Sequence, residues 1–464
     1  MRSTSNVQGF PLAKTAFLLL AVAAMLPAGN NGRSQYTFKT IAKTGQSEEQ
    51  VTFDQYFQPG GINNQGQISF APSIQTGGES VFLAGGRNLI KVRAAGDSLP
   101  GGAKFGYTLG PVGMTAQGDT TFISTGLDVP LPLGLNAGVY RTVLGIGLPV
   151  SVMLPGVTAT PGGGVFYGAA FNSQMNDLYE TVFPGMVCST VPTKAPSPGN
   201  PPCKTGQLEF GIYHANLLGQ ISAVVEPGSV APGGSYFDYA QVPFINNFGD
   251  VAFDAHVYNE PCTDSHGQQG FRIFCGESVY LKKAHSGGTI SIAHQGQRSP
   301  IDGNFYYVAF GPVLNDLGDL VFVAELSHTS DLTQNSTGNT AVFLYSHGTT
   351  TTVAKPGDPM PGGGKLVTAG GSPNTAYLNN NLEVAFVGTL DNGDQGLYRW
   401  KNGTVTLVAK TGTAIDGGAA IANLDDFDYG TGASSQVAIN DLGQIIFAAN
   451  LKGGGGAMLL ATPR

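Results

Sequence analysis

Tryptophan is almost missing from this chain: Trp400 is the single one. A WD-type repeat carries a Trp-Asp dipeptide in its blades and a Kelch-type repeat a blade tryptophan, so neither pattern describes the chain. Charge is sparse as well. Only 12% of the residues are charged, the formal net charge is -8, and no lysine or arginine cluster occurs, which excludes the electrostatic footprint of a nucleic-acid binder. No apolar run reaches the ~20 residues that a membrane-spanning helix needs. The longest, 16–26, follows Arg2 and Lys14 and precedes small residues near Ala28, which is the layout of an export signal. Residues 1–28 are therefore expected to be a signal peptide. The mature chain, 29–464, is expected to be secreted or periplasmic, with no membrane span after the signal is removed.

Cysteine is scarce too. The four fall into two local pairs, Cys188 with Cys203 and Cys262 with Cys275, and in an oxidising compartment such pairs close as disulfides. Metal ligation is the alternative, but neither pair has C-x-x-C spacing or a histidine at ligand distance along the chain. Other catalytic signatures are also missing. There is no G-x-S-x-G elbow, no H-E-x-x-H, no sialidase box, no haem-attachment motif and no phosphate loop ending in Lys-Ser/Thr.

What is abundant is glycine and proline, with 68 and 28 residues against 41% hydrophobic residues. Both interrupt helices, so the composition calls for many short strands joined by tight turns. One nine-residue pattern organises them: an apolar residue, Asn, two variable residues, Gly, three more, then Phe. It is clear in INNQGQISF (62–70), INNFGDVAF (245–253), LNDLGDLVF (314–322) and INDLGQIIF (439–447). LNNNLEVAF (378–386), MTAQGDTTF (114–122) and MNDLYETVF (175–183) each lose one signature residue. Each copy reads as a β-hairpin. The asparagine (Asn63, Asn246, Asn315, Asn440) bonds its own turn, the glycine (Gly66, Gly249, Gly318, Gly443) takes the left-handed position, and the terminal phenylalanine enters a core. Repeated around the molecule, these residues are expected to be architectural and not catalytic.

Behind each hairpin come an apolar pair such as Val81-Phe82 or Val279-Tyr280, a turn, and a fourth strand-like run. Seven such units predict an all-β, seven-bladed propeller with four antiparallel strands per blade. The last unit lacks its fourth strand, while the chain opens with FKTIAKTGQ (38–46), which matches VAKTGT (408–413). The N-terminal strand is thus expected to close the last blade and hide a sheet edge. A β-solenoid is the alternative, but it calls for capping repeats and gives no reason for complementary ends.

The in-phase Asn-x-x-Gly-x-x-x-Phe pattern resembles the bacterial exported proteins described by that tandem repeat, over nearly all of the mature chain. The resemblance implies export and a propeller-like repeat fold. It transfers no catalytic residue.

Candidate chemistry lies at the rim opposite the hairpins. Both cysteine pairs fall in long loops between second and third strands, 184–208 and 255–276, and a Ser/Thr/Asn-rich insert, 325–340, occupies the same place in the next blade. Such loops carry function. Asp425, Asp426 and Asp428 cluster before an inner strand and are oxygen ligands of the kind calcium takes; Asp97 and Asp358 sit at blade ends. DNGDQG (391–396) reads as a hairpin turn, and His256 and His266 as solvated loop residues. The expected function is a non-catalytic binding or scaffold propeller that engages a glycan, peptide or protein through the loop-rich rim, with no cofactor beyond a structural calcium. The alternative is a carbohydrate- or ester-directed hydrolase or lyase that uses rim carboxylates.

Overall fold

Seven antiparallel sheets follow one another along the chain in a computed structural model, which describes residues 35–86, 88–126, 136–145, 147–189, 207–258, 277–330, 338–370, 376–424 and 437–464. Tyr36–Arg464 is one compact unit. Among the described residues the sole helical piece is one 3-10 turn, Asp416–Gly418, and no helix is long and apolar enough to cross a membrane.

Blade 4 shows the plan without interruption: strands Tyr236–Ile245, Val251–Tyr258, Ser278–Lys282 and Thr289–Ala293 pair in sequence order. The first two strands are joined by the Asn-x-x-Gly turn, so every such turn lies on one rim. The long second-to-third loops lie on the other, as antiparallel pairing requires. The signature phenylalanine is the cross-strand partner of the aromatic residue in strand three: Phe70 faces Phe82, Phe122 Tyr140, Phe183 Tyr213, Phe253 Tyr280, Phe322 Phe343 and Phe386 Tyr398. A third ring often meets the pair edge-on. Phe53 does so against Phe82 at 5.1 Å, Phe166 against Tyr213 at 4.7 Å and Tyr306 against Phe343 at 5.3 Å. Each such pair adds about 0.5–1.5 kcal/mol beyond the burial of its area.

The apolar clusters lie between blades, each shared by two neighbours. Phe70, Phe82 and Ala42 pack with Met458 and Leu460, joining blade 1 to blade 7, and other clusters join the remaining neighbours in turn, so the circle is closed. A solenoid has no such contact between its first and last repeats. Closure uses the two chain ends as expected: Tyr36–Lys43 is the outermost strand of blade 7 and pairs with Gly456–Pro463, from Tyr36 opposite Pro463 to Lys43 opposite Ala457. Asp416 fastens this strand by accepting from the Thr40 amide at 3.1 Å and the Thr40 hydroxyl at 2.5 Å.

The turns keep the same backbone where the signature glycine is lost. Gly66 has φ 76°, and Leu382 and Tyr179 stand at the same turn position with φ 56° and 60°. A left-handed leucine or tyrosine is strained, so the turn geometry is imposed by the blade and not by glycine alone.

Candidate functional site

Each signature asparagine binds in two directions. In blade 4, Asn246 Oδ1 accepts from the amides of Phe248 (3.1 Å) and Asp250 (2.9 Å), which is the turn bond the sequence leads one to expect. Its Nδ2 reaches out of the blade to the carbonyl of Asn315 in blade 5 at 3.2 Å. The link repeats around the axis: Asn176 to Asn246, Asn315 to Asn379, Asn379 to Asn440, and Asn440 to Asn63. Asn63 donates to Ala116 of blade 2. Blade 2 carries Thr115 in place of the asparagine, and Thr115 caps its own turn without a side-chain amide to extend onward.

The next turn position makes a second circle. Its residues are Asn64, Ala116, Asp177, Asn247, Asp316, Asn380 and Asp441, and they line an axial cavity of about 220 Å³ on the hairpin rim. The amide of one blade donates to the side-chain oxygen of the next: Ala116 to Asp177 (2.7 Å), Asp177 to Asn247 (2.8 Å), Asn247 to Asp316 (2.9 Å) and Asp316 to Asn380 (2.9 Å). Asn380 to Asp441 and Asp441 to Asn64, both 2.8 Å, carry it back to blade 1. Only Ala116, which has no side-chain acceptor, breaks it. Nearby, burial acts to raise the Glu383 carboxyl, but hydrogen bonds from Arg399 and Lys401 and the Arg399 charge hold it below its ordinary value. The sequence reading found the turn and missed both circles, which join residues from different repeats; the signal available was the near-constant Asn/Asp at the second turn position.

The opposite rim carries a polar cluster at the end of blade 4. Strand two runs from the hairpin toward the long loop, so His256 lies near that rim, and Glu277 stands just before strand three. His256 Nε2 is 3.2 Å from Glu277 Oε1, with both side chains partly exposed. Gln241 donates to the same Glu277 oxygen and accepts from the Tyr239 hydroxyl at 2.9 Å. Behind them Asp254 is fully buried; one oxygen accepts from the Gly311 amide of blade 5 at 2.9 Å, and Oδ1 has no hydrogen-bond partner among the described residues. Burial first, and then the Glu277 charge, push the Asp254 carboxyl well above the usual carboxylate range. Burial and the carboxylates of Asp254, Glu277 and Glu209 likewise raise the Tyr239 phenol. At the position of Asp254 the other blades carry Ala71, Ile123, Pro184, Val323, Val387 and Ala448, so this blade alone puts a carboxyl there. A buried carboxyl with a raised pKa beside a second acid is an arrangement suited to proton transfer or to donor-rich ligands.

On the same rim a cavity of about 320 Å³ opens beside Cys188, lined by Thr160, Gly162, Tyr167 and Glu226 among others. No described cysteine is free. Cys203, Cys262 and Cys275 lie outside the described residues, as do Asp425, Asp426 and Asp428. Among the described residues no group of three or more His, Cys, Asp or Glu side chains could hold a metal ion. Asp97 and Asp358 close their own turns, accepting from the amides of Ala94 at 2.8 Å and Lys355 at 3.0 Å, and DNGDQG is the turn between two strands of blade 6. His266 lies outside the described residues, whereas His256 belongs to the cluster and is not a solvated loop residue.

A family model described as a family of unknown function, DUF7453, matches residues 204–458. No curated protein matches the chain. Among solved structures, an oligogalacturonate lyase from Vibrio parahaemolyticus superposes with a TM-score of 0.50 at 10% identity, covering 92% of this chain and 96% of that one. A puromycin-hydrolyzing peptidase from Mycobacterium tuberculosis gives 0.46 at 12% identity over 88% of this chain and 52% of that one. The β-propeller domain of the Trilobed protease from Pyrococcus furiosus gives 0.45 at 8% identity over 88% and 95%. At such identities the first likeness speaks to the fold alone.

Proposed function

Because the chain belongs to the DUF7453 family, whose function is unknown, we propose from its own residues that it is an exported binding propeller, taking a glycan, peptide or protein on the loop rim of blades 3 and 4. The observation that carries this reading is the cluster of Tyr239, Gln241, Asp254, His256 and Glu277 at the loop rim of blade 4, in which Asp254 stands where the other blades carry apolar residues. The cavity beside Cys188 on the same rim supports it.

Glycan and peptide arrays probed with the purified protein, with and without chelator, test the reading. Binding should fall at least tenfold, about 1.4 kcal/mol, in Glu277→Gln and His256→Gln while melting stays unchanged. Binding that survives both substitutions sinks the loop rim of blade 4 as the site. The chelator arm tests calcium at Asp425, Asp426 and Asp428: loss of binding on chelation supports it, and indifference removes it.

Acid-base catalysis is the second reading, favoured by the raised Asp254 carboxyl beside Glu277. It expects turnover of a polysaccharide or ester panel that Asp254→Asn abolishes without loss of binding. No turnover on any member of the panel rejects it.

A further inference from the structure

The hairpin rim is not a bland face. The third turn position, between the axial residue and the glycine, needs no large side chain, and blades 1, 2 and 6 carry Gln65, Gln117 and Asn381 there. Blades 3, 4 and 5 carry Leu178, Phe248 and Leu317, which are 58%, 62% and 67% exposed, and blade 7, set apart from them by Asn381 of blade 6, carries Leu442 at 61%. Consecutive turns are tied to each other, Asp177 to Asn247 and Asn247 to Asp316, so the three apolar side chains stand on neighbouring supports. The arc extends outward. Leu217 and Leu218 are exposed on the outer hairpin of blade 3, where Arg141 donates to the Leu217 carbonyl at 2.7 Å, and exposed Leu144 donates its amide to the Tyr179 hydroxyl at 3.3 Å. Exposed apolar side chains gathered on one rim of a folded chain mark an interaction surface.

Charge selects the occupant. Inside the arc, Asp177 and Asp316 line the axial cavity, and neither is in an ion pair among the described residues. A second copy docked rim to rim would oppose like charges, and an anionic bilayer would be repelled in the same way. We propose that the hairpin rim of blades 3 to 5 is a docking surface for a protein or peptide segment that sets a lysine or arginine over the axial mouth, with apolar side chains beside it on Leu178, Phe248 and Leu317. This surface is separate from the loop rim, so Glu277→Gln should leave it unchanged.

The test uses the full chain and an array of 12-residue synthetic peptides with a central lysine or glutamate, flanked by Leu/Phe or by Ser. Binding is expected only for lysine-centred, apolar-flanked peptides, and at least tenfold weaker for Phe248→Ser and Leu317→Ser, two exposed positions whose substitution should leave the melting temperature unchanged. Equal retention of glutamate-centred peptides, no retention at all, or indifference to both substitutions would overturn the proposal. Two parallel measurements read the rival occupants: sedimentation velocity for self-association, and flotation with phosphatidylcholine vesicles. A dimer or a vesicle complex that Phe248→Ser abolishes would overturn it in favour of a second copy or a bilayer.

Discussion

Asn440 in the last blade donates through Nδ2 to the main-chain carbonyl of Asn63 in the first at 3.0 Å, across 377 residues of sequence. The same side chain accepts from the amides of Leu442 and Gln444 with Oδ1. Asn440→Ala therefore leaves two turn amides and a buried carbonyl unmet, and should lower stability by about 1–3 kcal/mol. Asn64→Ala, one position on and exposed, should lower it by less than about 1 kcal/mol. Urea unfolding midpoints check the ordering, and equal effects would show that the link from Asn440 to Asn63 adds nothing.

The gap in that circle is a single residue wide. Thr115→Asn keeps the acceptor that caps the Asp119 amide and adds an Nδ2 in reach of the blade 3 turn, as at the other asparagines. We expect a gain of about 0.5–1.5 kcal/mol, the net worth of one buried hydrogen bond, read as a higher urea midpoint; a loss would mean that the blade 2 turn is set differently from the rest.

Glu79 supplies the pH dependence. It accepts from the Thr108 amide at 2.8 Å and hydroxyl at 2.6 Å in blade 2, yet burial outweighs these bonds and its carboxyl is pushed up to about 7 from an ordinary 4.5. Below pH 4.5 both folded and unfolded states hold the proton and no penalty arises. Between pH 4.5 and 7 the unfolded chain releases it while the folded one does not, so stability falls, and above 7 the loss is constant. Glu79→Gln should therefore match the parent near pH 4 and exceed it at pH 8 by about 1–3 kcal/mol. Melting curves at the two pH values decide, and a pH-independent difference would place the effect in packing instead.

Removal of residues 36–43 strips the outer strand from blade 7 and exposes the edge of Gly456–Pro463. The truncated protein should aggregate and melt at lower temperature. Asp416→Ala, which frees Thr40 alone, should produce a milder shift, on the order of 1 kcal/mol. Light scattering during heating separates the two, and a truncated protein that stays monomeric with the parent's melting point would refute closure by this strand.

Peptide mass mapping of the oxidised protein should recover Cys188 linked to Cys203 and Cys262 linked to Cys275. Cys188 lies in the second strand of blade 3, Thr181–Ser189, so the first bridge would tie its loop to the blade, and in the chain-entropy view loops of this size contribute on the order of 3 kcal/mol. Crossed pairs or free thiols would refute the assignment.

The sequence by itself determined the repeat, and with it the blade. Asn and Gly at fixed spacing are demanded by local turn chemistry, and Phe70 or Phe253 falls on the buried face because strand alternation has a period of two. Ring closure was legible as well, since the missing strand of blade 7 appears at 36–43. What only the tertiary structure decided are the contacts between repeats. Nδ2 of a signature asparagine such as Asn63 has one acceptor in its own turn, Gln67, but its second belongs to the next blade and could not be read from the repeat. Asp254 carries no signature in the repeat, and its chemistry comes from Glu277, Gln241 and Gly311, brought beside it by strand pairing and by the packing of blade 5. Leu178, Phe248 and Leu317 stand among the variable turn residues of the repeat, and only the packing of the blades shows that they are exposed on neighbouring turns of one rim. Periodicity assigns a residue to a face; which neighbour or solvent meets that face is set by how the blades pack around the axis.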